Sequence, residues 1–175
     1  MKTRTKYILM GIIFVVAVAI DLITKQIFHD IEYTQIIPHV IAFQTNGGNS
    51  GAAFGIFANN TLFLIVFSIL IVGLMIFVDV KLKIKSKTYT IGFGLIMAGA
   101  IGNMIDRITL KYVRDFIMFD FWKSFPIFNF ADCCIVIGAV LVCVYFIFLA
   151  KNNNEKSNKS KLNNNIKVDN DADNK

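Results

Sequence analysis

The sequence predicts an all-α membrane protein with a small β element, built on four transmembrane helices. Three observations carry that expectation. The chain of 175 residues is 55% hydrophobic with a mean hydropathy of +0.60, too apolar for an ordinary soluble domain. Several apolar runs approach the roughly 20 residues that cross a bilayer core. The basic residues behind the formal charge of +6 sit beside those runs. They read as topology signals rather than as a nucleic-acid-binding stripe, and no nucleic-acid partner is expected.

Lys2, Arg4 and Lys6 precede an apolar run from Tyr7 to Ile20, and Ala17-Val18-Ala19 has the form of a signal-peptide cleavage site. The apolar character resumes after Asp21 and reaches Phe28, so a retained helix is expected over about residues 7–27. Asp21 and Lys25, four apart with the acid first, suit a helix-stabilising ion pair. From Ile31 to Asn60 β-branched and aromatic residues give way to Gly47, Gly48, Gly51 and Gly55, as in a short irregular sheet outside the membrane. Further spans are expected over about residues 61–80, 89–107 and 130–150. The third carries Gly92, Gly94, Ala98, Gly99, Ala100 and Gly102, which permit close helix packing. Residues 1–150 thus form one domain, and the Asn- and Lys-rich tail, 151–175, is expected to be disordered.

Bases at the N-terminus, four lysines between the second and third spans and six in the tail place both termini in the cytosol. Residues 31–60 and the region of Asp115 then face outward. Asp21, Lys25, Asn103, Asp106, Arg107, Asn129 and Asp132 all fall at the outer ends of their helices. Ionisable groups at that depth are costly, so a functional layer is the default reading. Phe119, Phe121, Trp122, Phe125 and Phe128 suit an interfacial belt, and Asp120 reads as a solvated interfacial acid. Cys133, Cys134 and Cys143 lie in the last span without a C-x-x-C and read as small buried packing residues. Two histidines without H-E-x-x-H give a zinc hydrolase almost no support, so neither metal nor cofactor is expected.

Two neighbouring carboxylates cannot both ionise cheaply, and a pair sharing one proton can activate water and polarise a peptide carbonyl. The same layer also suits a small proton-coupled carrier using Asp21, Lys25, Asp106 and Arg107 as a relay. Composition does not choose between the two.

Five ordered blocks resemble the lipoprotein signal peptidase (signal peptidase II) family of bacterial membrane aspartic endopeptidases. They are Asp21-Leu-Ile-Thr-Lys25, Asn49-Ser-Gly51-Ala-Ala-Phe54-Gly, Gly99-Ala-Ile-Gly102-Asn103-Met-Ile-Asp106-Arg107, Val113-Arg-Asp115-Phe116-Ile117 and Phe125-Pro-Ile-Phe-Asn129-Phe-Ala131-Asp132. The resemblance covers about residues 7–150. It implies a four-helix fold of the bacterial inner membrane with an extracytoplasmic β-cradle and a short surface helix. It also implies cleavage of diacylglyceryl-modified prolipoproteins on the N-terminal side of the lipidated cysteine. The family's catalytic aspartates fall on Asp115 and Asp132. Asp21, Lys25, Asn49, Gly51, Asn103, Asp106, Arg107, Asn129 and Ala131 fall on supporting or substrate-contact positions, with Asn103, Asp106 and Arg107 read as a helix-end scaffold. Prolipoproteins and membrane lipids are the expected partners, and nothing in the chain demands more than a monomer. The chain departs from the pattern at Lys111, where a glycine is common, at Arg114, where an apolar residue is common, in the Gly47-Gly48 pair, and in carrying its next acid only at Asp120.

Overall fold

The computed structural model describes residues 1–45, 48–49, 51 and 60–149. Among the described residues four helices form the bundle: α1 (Thr3–Ile27), α2 (Thr61–Leu82), α3 (Lys87–Leu110) and α4 (Phe130–Val144), the last continued by a π-helical turn over Tyr145–Leu149. Each is long and apolar enough to cross a membrane. Three short strands, β1 (Thr34–Ile37), β2 (Ile41–Phe43) and β3 (Ile117–Phe119), form an antiparallel sheet in the order β1-β2-β3. The expected tail, Gly47, Gly55 and most of the Asn49–Gly55 block lie outside the described residues, and no short surface helix occurs among the described ones.

The bundle is inverted relative to a soluble one. The buried residues of α1 are Lys6, Ala17, Asp21 and Lys25, while Ile8, Ile12 and Val15 face outward. On α2 the outward face includes Leu62, 72% exposed. Lipid is as apolar as leucine, so packing rests on close contact and polar bonds rather than on hydrophobic burial. α3 is the hub, packed on α1, α2 and α4. Its small residues make that possible: a Cβ on Gly99 would collide with the Ala131 carbonyl, and one on Gly92 with the Gly138 carbonyl.

Pro38, His39 and Val40 turn the β1–β2 hairpin, with His39 at φ 59° and the Val40 N–H bonded to the Ile37 carbonyl at 3.0 Å. β3 enters from the chain beyond α3 and pairs Ala42 with Met118. Ile117 then exchanges backbone hydrogen bonds with Phe128 at 2.8 and 2.9 Å, tying the sheet to the segment that opens α4. Phe28, Phe43 and Phe116 close the joint, with ring centroids 4.6–5.5 Å apart.

Candidate active site

The polar residues gather at the end of the bundle that carries the sheet. Lys25 is fully buried, 2.8 Å from Asp21 and 3.4 Å from Asp106, and it donates to Asn103 Oδ1 at 2.9 Å. The expected local pair is therefore the centre of an interhelical network. Asp21 reaches further and accepts from the Ala131 N–H at 2.9 Å, in the first turn of α4. A Cβ on Gly102 would run into the Asp21 carboxylate, so a glycine is needed there.

Asp106 and Arg107 support different parts of the site and form no ion pair with each other among the described residues. Neighbours on a helix diverge by about 100° and face different partners. Asp106 is held instead by Arg114, through Nη2 at 2.6 Å, Nε at 3.3 Å and the backbone N–H at 3.0 Å. Arg107 Nη2 donates to the Gly51 carbonyl at 3.1 Å. Two of the departures from the motif, Lys111 and Arg114, belong to one device. Lys111 ends α3 in the left-handed region, φ 72°, which turns the chain back so that Arg114 meets Asp106.

Asn129 joins the remaining pieces. It is fully buried, and its Nδ2 donates to Asp115 Oδ1 at 2.6 Å and to Asn103 Oδ1 at 3.1 Å. Its Oδ1 accepts from the Asp132 N–H at 3.0 Å, while Asp132 Oδ2 accepts from the Asn129 N–H at 3.2 Å. This is a reciprocal capping box opening α4. Asp132 Oδ1 accepts from Asn103 Nδ2 at 2.8 Å. Asp115 Oδ2 accepts from Asn49 Nδ2 at 3.0 Å, and Asn49 is fixed by backbone bonds to Val113 at 2.8 and 2.9 Å.

Asp115 and Asp132 line a cavity of about 290 Å³ together with Asn49, Gly51, Asn103 and Arg107. Its other wall is apolar, from Phe125–Phe128, Ile135 and Val136. Asp21, Lys25, Asp106, Asn129 and Ala131 stand behind that surface and position it. Burial, reinforced by the charge of Asp132, pushes the Asp115 carboxyl up to about 6, against hydrogen bonds from Asn49 and Asn129 and the charge of Lys25. Among the described residues no group of three His, Cys, Asp or Glu side chains is placed to hold a metal ion.

Two sequence expectations are corrected. Asp120 is not free in solvent, for it accepts from the Tyr33 hydroxyl at 2.8 Å and from Gln35 Nε2 at 2.9 Å, and its carboxylate raises the Tyr33 phenol. Of the three cysteines only Cys134 is buried; Cys133 is half-buried and Cys143 is exposed. Asp79, in the last turn of α2, is buried at the other end of the bundle and paired with Lys6 at 2.5 Å. An acid inside an apolar run was the available signal for that pair; its partner, 73 residues away, left no trace in spacing.

Comparison with known proteins places the chain among relatives of the same fold. The sequence model of the Signal peptidase (SPase) II family matches residues 13–148. A lipoprotein signal peptidase of Lactobacillus johnsonii is 40% identical over 116 residues, 66% of this chain and 74% of the relative. One from Clostridium acetobutylicum is 33% identical over 141 residues, 78% of this chain and 92% of the relative. A bacterial membrane enzyme solved by the in meso method at 2.3 Å resolution superposes with a TM-score of 0.73 at 30% identity, covering 83% of this chain and 90% of that one.

Proposed function

Because the chain belongs to the signal peptidase II family, we propose that it removes signal peptides from diacylglyceryl-modified prolipoproteins by water activated between Asp115 and Asp132. Cleavage falls on the N-terminal side of the lipidated cysteine. The protein lies in the bacterial cytoplasmic membrane with both termini in the cytosol and the cavity toward the extracytoplasmic face.

The observation that carries this reading is the placement of both carboxylates on one cavity that is polar on one side and apolar on the other. The apolar wall suits a substrate held in lipid. The charge balance supports a shared proton. Among the described residues, Asp21, Asp106, Asp115 and Asp132 face the cations Lys25, Arg107 and Arg114. One proton on the dyad brings that layer to neutrality, and the raised Asp115 is the group that keeps it.

In the reaction, Asp132 takes a proton from water while the water oxygen bonds to the scissile carbonyl carbon. Protonated Asp115 hydrogen-bonds the carbonyl oxygen as negative charge develops there. Collapse breaks the carbon–nitrogen bond, and the proton held by Asp132 passes to the leaving amine. Asn49, Asn103 and Asn129 hold the two carboxylates in register throughout. Arg107, on the cavity wall, keeps its buried Nε without a partner among the described residues.

Full-length protein in vesicles, given a diacylglyceryl prolipoprotein, should release the shortened product. Asp115→Asn and Asp132→Asn should each slow release by about a thousandfold, with membrane insertion retained. Undiminished cleavage by either inserted variant would overturn the assignment.

A further inference from the structure

At the end of the bundle away from the candidate active site, a cavity of about 500 Å³ opens between α1 and α2. It is lined by Thr3, Lys6, Tyr7, Val80, Lys83 and Lys85. From this surface we infer a binding site for the phosphate headgroup of an anionic phospholipid, separate from the substrate cavity.

The charges decide what the cavity takes. Lys6 is buried, neutralised by Asp79, and lies 5.1 and 5.6 Å from the Tyr7 and Tyr89 ring centroids. It forms the floor rather than the attracting charge. Lys83 and Lys85 are exposed at the rim, and among the described residues neither ammonium meets an acid. The cavity therefore offers two uncompensated positive charges and the Thr3 hydroxyl to one anion.

The rim is built rather than loose. Lys83 ends α2 in the left-handed region, φ 49°, with its N–H bonded to the Asp79 carbonyl at 3.1 Å. A glycine would adopt that conformation at lower cost. Ile84, 8% exposed, is planted in a core cluster with Tyr89, Phe93 and Tyr145. A fixed residue between the two lysines holds both at the cavity mouth.

The surroundings select a lipid over a free anion. α1 and α2 meet at the Lys6–Asp79 pair but are not packed along each other. The cleft between them is bordered by outward-facing Tyr7 and Val80, and Phe77 lies one turn further along α2. Acyl chains can lie along that apolar surface while the phosphate meets the lysines. Basic pockets between transmembrane helices bind anionic headgroups in this way. A positive-inside signal needs charge near the helix ends but no cavity, so topology alone does not account for the arrangement.

The test is lipid titration of the full-length protein in a zwitterionic detergent, read by thermal shift. Phosphatidylglycerol should raise the melting temperature in a saturable manner, and phosphatidylcholine should not. The double variant Lys83→Gln/Lys85→Gln should bind phosphatidylglycerol about thirtyfold more weakly, while Lys83→Arg/Lys85→Arg retains binding. Lys81→Gln/Lys87→Gln removes the same charge from neighbouring positions that do not line the cavity, and should stay within about threefold of the parent. Equal weakening by the two glutamine doubles would reduce the effect to general surface charge and overturn the site. A matching shift with phosphatidylcholine or with inorganic phosphate alone would overturn the lipid assignment.

Discussion

Two ionic clusters lie buried at opposite ends of α1, and they differ in what remains after the charges are paired. Lys6 and Lys25 are separated by 19 positions, roughly 28 Å along the helix. Lys6 meets the single carboxylate of Asp79 beneath aromatic rings, and the two charges cancel with no carboxylate left over. Lys25 sits between Asp21 and Asp106 and is bonded through Asn103 to a further pair of carboxylates. That network ends on a cavity. A buried ion pair by itself is weak support for function or for stability. The distinguishing feature is a carboxylate left over, held by amides and facing space that a substrate can occupy.

Lys25→Met should give the largest effect of the variants that break this contrast. It leaves Asp21 and Asp106 without their shared cation, at a cost of about 3–5 kcal/mol, and should abolish cleavage. Lys6→Met should destabilise comparably, yet Lys6→Met/Asp79→Leu should recover most of that loss and retain cleavage, because a closed pair is replaceable by apolar packing. Denaturation in detergent alongside the cleavage assay checks both statements. A Lys25 variant that still cleaves, or a rescued double that does not, would erase the distinction between the two ends.

Asn129→Ala comes next. It removes the cap of α4, worth about 0.5–2 kcal/mol, and frees Asp115 and Asp132 from their common partner. Loss of kcat should exceed the change in KM, since substrate surface remains while the carboxylates lose register. The smallest effect is expected at Lys111→Gly, which relieves a left-handed lysine and should stabilise the chain by a few tenths to about 1 kcal/mol, with cleavage unchanged.

Much of this arrangement was legible in the residues. Four apolar runs set the spans, because hydrocarbon admits little else, and polar groups at matching helix ends located the layer before any contact was known. The small residues of α3 foretold its packing. The partners inside the layer were less legible. Asp106 lies beside Arg107 in sequence but is bonded to Arg114, because helix geometry separates neighbours and a left-handed turn at Lys111 returns the chain. Asp120 looked solvated until β3 packed beside β2 and brought it to Tyr33 and Gln35. Asp115 and Asp132 were singled out by family resemblance, since spacing alone marked several acids equally.

A proton shared between Asp115 and Asp132 would be visible in infrared titration of the carboxyl stretch. Burial and the neighbouring Asp132 charge raise Asp115 to about 6, so the protonated form should dominate below that pH and fade as pH rises through it. Free-enzyme kcat/KM should fall over the same interval, because the group that polarises the carbonyl is lost. Asp115→Asn should remove the protonated-carboxyl band that titrates there. A band that survives in Asp115→Asn, or one absent from the parent protein at pH 5, would contradict the shared proton.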